Sequence, residues 1–148
     1  MALNPNGKAV TTKATFSRET SVSISIDAAT TVVWALLTNA ADYPRWNSTI
    51  VSLEGTIAQG QQIRLVSTLD PKRTFKLTVK EMEANKRLVW GDAMGKRVFT
   101  LETSASGVVF SMTEKIGGPL FPLFARMIPP FDASFEQFAS DLKKAAEA

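Results

Sequence analysis

The chain has 148 residues, with no histidine, no cysteine and a single tyrosine, Tyr43. Without cysteine there is neither a disulfide framework nor a thiolate metal site, and a reducing compartment, the cytoplasm, is the expected location. Without histidine the commonest general base and the commonest zinc ligand are both missing, which excludes Ser-His-Asp triads, Cys-His pairs and HExxH chemistry. Any catalysis must rest on carboxylates, lysine, arginine, Tyr43 or bound water, and neither a metal nor a cofactor is expected. Long apolar runs are also lacking. No stretch reaches the roughly 18 apolar residues of a membrane span, and the N-terminal "MALNPNGKAVTTKATFSRE" has no apolar signal region, so a soluble protein is expected. The net charge is +3 with a pI near 9.3, but the cations are dispersed and neither a basic helix nor an aromatic RNA-binding signature is present. Nucleic acid is therefore not an expected partner.

What remains is a chain that is 45% hydrophobic and of the length of one domain with one core. Residues 1 to 16, with Asn4, Pro5, Asn6 and Gly7, read as a loose arm, and 17 to 148 as the single folded domain. In "TSVSISI" Val22, Ile24 and Ile26 alternate with serines, the period of a half-buried strand. Asp27 fits a helix N-cap before "AATTVVWALLTN", a short helix burying Val33, Trp34 and Leu37, and "AADYPRWN" is a second short helix or turn cut by Pro44. Six further alternating segments follow, from "STIVSLEG" to "GVVFSMTEKI", giving seven antiparallel strands. After Gly117 and Gly118, Leu120, Phe124, Met127, Phe131, Phe135, Phe138 and Leu142 recur at helical spacing. Pro129 and Pro130 should bend or split that helix. The α+β order of strand, two short helices, six strands and long helix is satisfied by a curved antiparallel sheet gripping the last helix.

Two hairpin registers can be argued. A two-residue turn at Ala105 and Ser106 pairs Leu101 with Phe110, Phe99 with Met112 and Arg97 with Glu114, all on the inner face. Closing the preceding hairpin from Glu83 to Lys86 pairs Val79 with Trp90 and Leu77 with Asp92, placing Asp92 at the inner edge of a pocket mouth. The loops at 70 to 73, 92 to 96 and 117 to 119 gather at one end of the sheet, beneath the proline-rich start of the last helix. A pocket there is expected to be walled by Trp90, Phe99, Leu101, Phe110 and Met112 from the sheet and Phe124, Met127, Ile128, Phe131 and Phe135 from the helix. Arg97 and Glu114 would orient a polar end of the ligand; Glu114, Arg97 and Asp92 are also the candidate catalytic groups. Tyr43 and Trp46 pin the short helix to the sheet.

The segments "IDAATTVVWALLTNAADYPRWNSTIVSLEG", "VKEMEANKRLVWGD", "GKRVFTLE" and "GVVFSMTEKIGG" resemble, in that order, the polyketide cyclase/dehydrase branch of the START-like superfamily, also called SRPBCC. The resemblance spans about residues 18 to 146 and is most specific in "VWALLT...YPRWN". It implies the helix-grip fold of the birch-pollen allergen, with a deep apolar cavity between sheet and C-terminal helix. Many relatives carry G-x-H-x-F in the sixth strand and H-x-E in the seventh; here Arg97 and Met112 stand where those histidines do, while Glu114 is kept. Three functions stay open. The chain is a carrier or sensor, as a monomer or weak dimer, for a small hydrophobic molecule (lipid, polyketide or isoprenoid-like); or a cyclase, dehydratase or aromatase without histidine chemistry; or an interaction module that docks a protein or membrane through "PLFPLFARMIPPF".

Overall fold

The alternation of Val22, Ile24 and Ile26 with serine does build a strand with one buried face, and it is the second strand rather than the first. The computed structural model describes residues 4 to 148. In chain order the elements are β1 (Val10–Lys13), β2 (Ser17–Ile26), α1 (Thr30–Thr38), α2 (Tyr43–Trp46), β3 (Ile50–Glu54), β4 (Gln62–Ser67), β5 (Phe75–Glu83), β6 (Arg87–Gly91), β7 (Gly95–Ser104), β8 (Gly107–Gly117), α3 (Phe121–Phe124) and α4 (Asp132–Glu147). The eight strands form one antiparallel sheet in the order β1-β2-β8-β7-β6-β5-β4-β3, the helix-grip arrangement with α4 packed on its inner face. One of those strands lies in the segment expected to be a loose arm. Val10 to Lys13 pair with Ser21 to Arg18, and α4 fastens them further: Ala9 N–H donates to Glu136 Oε2 at 3.0 Å and the Thr11 hydroxyl to Asp132 Oδ1 at 2.7 Å. An edge strand needs backbone pairing on one side only and no apolar alternation, so its threonines gave no periodic signal. Residues 1 to 3 of the expected arm lie outside the described residues.

Two more local expectations are corrected. Asp27 does not cap α1; the cap position is Ala29, without a side-chain bond, and the Asp27 N–H instead donates to Glu147 Oε2 at 2.8 Å. Pro44 does not cut the second helix but starts it, sitting in the first turn of α2, where the missing N–H has no partner to lose.

The β7–β8 hairpin has the argued register throughout, from Ser104 opposite Gly107 to Arg97 opposite Glu114. In the β5–β6 hairpin the turn is one residue longer than argued. Glu83 pairs with Arg87 around Asn85, whose φ of 64° places it in the left-handed region that asparagine tolerates. A bulge at Lys80 then absorbs the extra residue, so Val79 still faces Trp90. Strand β6 ends at Gly91, opposite Thr78, and the expected Leu77–Asp92 pair does not form.

The apolar stripe after Gly118 is not one helix. Only α4 is continuous, and only Phe135, Phe138, Ala139, Leu142 and Ala146 bury against the sheet. Before it, α3 and the 3-10 turn Ala125–Met127 run into an extended Ile128 followed by the non-helical Pro129 and Pro130. The two prolines cannot donate to a helix, and each biases the residue before it away from helical geometry. The centre of the core is Phe138, within 5.9 to 6.3 Å, ring to ring, of Tyr43, Trp46, Phe99 and Phe110. Burying each such side chain stabilises by roughly 1.5–3 kcal/mol. Tyr43 is sealed inside, its hydroxyl donating to the Leu37 carbonyl at 2.7 Å, and it ties α2 to α1 and the sheet.

Candidate functional site

Because α4 begins only at Asp132, its side chains cover the half of the sheet toward the β7–β8 turn and leave the other half open. There the inner positions of β4, β5, β6, β7 and β8 meet the α3 segment around a cavity of about 420 Å³. That volume lies in the range of small-molecule sites. The walls are mainly apolar: Leu65, Phe75, Leu77, Trp90 and Ile116 from the sheet, and Phe124, Met127, Ile128 and Phe131 from the segment above. Gly91 is also in the wall, and it must lack a side chain: a Cβ there would lie 2.3 Å from the Gly95 carbonyl oxygen.

Arg97 and Glu114, neighbours across β7 and β8, meet in this cavity, with Arg97 Nε donating to Glu114 Oε1 at 2.7 Å. Both side chains are largely buried, at 15% and 18% exposure. The contact uses one nitrogen and one oxygen. Among the described residues, neither the two terminal nitrogens of Arg97 nor Glu114 Oε2 has a protein hydrogen-bond partner, and none of them is sealed from solvent. The guanidinium carbon lies 5.1 Å from the Phe135 ring centroid, which holds its plane in place. Arg97 also lines a small void of about 20 Å³ beside Thr49, Ser67 and Ser134, room for a single water.

Arg18, on β2, grips the far end of the covering segment. Its terminal nitrogens donate to the carbonyls of Ile128 at 3.2 Å and Pro129 at 2.7 Å, and its guanidinium lies 4.8 Å from the Phe131 ring centroid. Phe131 in turn stacks on Phe135 at 5.9 Å and 7°. Arg18, Phe131, Phe135 and Arg97 thus form one column from the base of the covering segment to the ion pair. Arg18 Nε is buried without a partner among the described residues, and desolvation lowers the Arg18 pKa from its usual value, opposed by the charges of Asp132 and Glu114.

Of the ligand-binding candidates from the sequence, the cavity gathers Trp90, Arg97, Glu114, Phe124, Met127, Ile128 and Phe131. Phe99, Leu101 and Phe110 do not reach it; they are buried core under α4, with Phe110 stacked on Phe138. Met112 and Phe135 line only the 20 Å³ void. Asp92 borders the mouth but is exposed, and its Oδ1 accepts the N–H groups of Met94 and Gly95, each at 2.9 Å, the work of a turn residue. Leu65, Ser67, Phe75, Leu77 and Ile116 were missed, although strand parity alone puts Ile116 on the same face as Glu114. Lys72 and Lys96 do not line the cavity, whereas Arg73 does, its guanidinium 4.5 Å from the Phe75 ring centroid.

The profile of the family described as "Polyketide cyclase / dehydrase and lipid transport" matches residues 17–147. The chain belongs to that family. No curated protein matches the sequence. Among solved structures, it is similar to a conserved protein of unknown function from Enterococcus faecalis at 15% identity and a TM-score of 0.70, over 97% of this chain and 80% of that one. A protein from Mesorhizobium loti aligns at 20% identity and a TM-score of 0.68, over 86% of this chain and 96% of the other. DynU16, a protein in the dynemicin biosynthetic locus, aligns at 18% identity and 0.63, over 84% of this chain and 45% of that one. At these identities the likeness is one of fold.

Proposed function

We propose that this family member binds a small, mostly apolar molecule between the sheet and the segment that precedes α4, as a carrier or sensor. The observation that carries the reading is the 420 Å³ cavity with mainly apolar walls and, inside it, the half-used Arg97–Glu114 pair. Apolar contact supplies affinity at about 25 cal/mol per Å² buried, and the pair supplies orientation. The free guanidinium nitrogens suit a carbonyl or anionic oxygen, and Glu114 Oε2 suits a hydroxyl beside it. The test is Leu77→Trp, which fills the cavity from the sheet side while leaving the α4 core alone. Titrated with the dye anilinonaphthalene sulfonate, an aromatic body with one anionic end, the variant should bind at least about tenfold more weakly than wild type, the loss expected when a well-packed ligand meets an overfilled site. Unchanged dye affinity in a folded Leu77→Trp protein overturns the site.

The same pair supports a second reading, a cyclase or dehydratase. Arg97 would steady an enolate and Glu114 Oε2 would move the proton, two roles that the one-point contact leaves available. The occurrence of the fold-alike DynU16 in a biosynthetic locus accords with it. Under this reading Glu114→Gln abolishes turnover of a synthetic aromatic polyketone while Leu77→Trp weakens its binding; full turnover by Glu114→Gln removes Glu114 from the chemistry.

A further inference from the structure

The segment between Gly118 and α4 is apolar on both faces. Phe121 is buried, Phe124, Ile128 and Phe131 are partly covered, and Phe124, Ile128 and Phe131 line the cavity. On the other face Leu120 and Leu123 are 63% and 81% exposed, and Met127, at the cavity mouth, is 81% exposed. A helical segment with apolar side chains on both faces is ordinarily buried, and among the described residues nothing covers the outer face of this one. Nor is it loosely attached. Gly118, at a φ of +147°, donates its N–H to Phe16 at one end, and Arg18 holds the Ile128 and Pro129 carbonyls at the other.

The strand directions extend this face. The β1–β2, β4–β5 and β6–β7 loops all turn at the same end of the sheet as the end of β8, and each places an exposed apolar side chain there: Phe16, Leu69 and Met94. The contact is direct for two of them, since Gly117 N–H donates to the Met94 carbonyl and Gly118 N–H to that of Phe16. The cavity opens in the middle of this rim, with Leu69, Met94 and Met127 among its lining residues. Around the rim, Lys72, Arg73, Lys96 and Arg126 are exposed and outnumber Asp70 and Asp92, and Asp92 already accepts two backbone N–H groups.

The geometry points to an anionic lipid bilayer as the occupant of this face, with the cavity mouth laid against the membrane surface. Leu120, Leu123 and Met127 enter the acyl boundary, and Lys72, Lys96 and Arg126 meet the headgroups. Such a surface binds by buried apolar area plus attraction to anionic lipid, which these two sets of residues supply together. A second copy of the chain fits the face poorly. A two-fold interface sets the same patch against itself, and it would bring these cations face to face. The inference does not depend on what the cavity holds.

Vesicle flotation at low and high salt tests it, with wild type, Leu123→Asp/Met127→Asp and Lys72→Glu/Arg126→Glu, each first shown folded by its thermal transition. Wild type should float with vesicles of phosphatidylglycerol and phosphatidylcholine at low salt and stay down with phosphatidylcholine alone or at high salt. Lys72→Glu/Arg126→Glu should lose at least about 25-fold in partitioning, since removing each cation alone is worth about fivefold and the two reversals add to that. The aspartate pair should not float at all, with dye binding in the cavity intact in Leu123→Asp. Wild type that ignores anionic vesicles, that floats equally with both compositions, or that floats undiminished in either double variant overturns the proposal. So does a concentration-dependent dimer that Leu123→Asp dissolves, which would assign the face to a second copy.

Discussion

Arg97 and Glu114 are the one ion pair held inside the fold among the described residues, and a double-mutant cycle can separate what the pair does for stability from what it does for binding. Removing one partner of a fully buried pair costs about 3–5 kcal/mol, because the other charge is left uncompensated. Here the pair opens on the cavity, with 15% and 18% of the side chains exposed, so water can replace part of the lost contact. We expect about 2 kcal/mol for Glu114→Gln and a similar loss for Arg97→Met, a discount for that exposure. The double variant Arg97→Met/Glu114→Leu removes both charges and leaves apolar side chains against Phe135 and Ile116, and it should cost less than either single change, because desolvation of the pair offsets much of its attraction. Urea unfolding measures all four corners, and binding of anilinonaphthalene sulfonate is measured on the same preparations. The expected outcome is a double variant about as stable as wild type that has lost the dye: stability kept, recognition gone. Strictly additive losses of stability would refute the claim that the two charges act as a unit, and unimpaired dye binding by the double variant would refute their role in orientation.

Two further outcomes follow from named contacts. Arg18→Met removes the donors to the Ile128 and Pro129 carbonyls while keeping a side chain against Phe131. Hydrogen exchange in residues 119 to 131 should speed up with the α4 core unchanged, and dye release should quicken more than affinity falls; unaltered exchange would show that Arg18 does not hold the segment. Burial pushes the Tyr43 phenol well above its usual value, so the folded state keeps it protonated. A raised folded pKa gives stability that is present below the unfolded value and lost as pH rises. Above about pH 10 the fold should therefore weaken by up to ~1.4 kcal/mol per pH unit from this group. As Tyr43 is the only tyrosine, phenolate absorbance should appear only with unfolding, and Tyr43→Phe should remove its share of that alkaline slope at a cost of about 1 kcal/mol for the lost bond to Leu37. Phenolate formation in the native protein would contradict this burial.

The sheet was largely legible in the sequence because strand parity leaves no freedom: the alternation in "KRVFTLETS" and "GVVFSMTEKI" fixes which side chains face inward, and a one-residue slip would expose all of them. The ion pair was found for that reason. What parity does not fix is depth along the strand. Phe99 and Glu114 share a face, yet one lies under α4 and the other in the cavity, and the difference depends on where α4 starts. The spacing of Leu120, Phe124 and Met127 continues the stripe of Phe135 and Phe138 so well that the sequence alone left open whether Pro129 and Pro130 bend one helix or split it, and the structure has the split. It is the end of one element and the start of another. Strand β1 and the extra residue in the turn around Asn85 were missed for a different reason: both depend on backbone hydrogen bonds, to which side-chain periodicity is blind.

Whether the 420 Å³ cavity binds a small apolar molecule can be read by native mass spectrometry of wild type and Leu77→Trp, each purified from its own cells and compared under gentle and denaturing conditions. A co-purifying species should be found on wild type, be released on denaturation and be absent from Leu77→Trp. The same bound mass on both proteins would place the ligand elsewhere, and an apo mass for wild type that persists after incubation with apolar carbonyl compounds would rule out a binding cavity for such molecules.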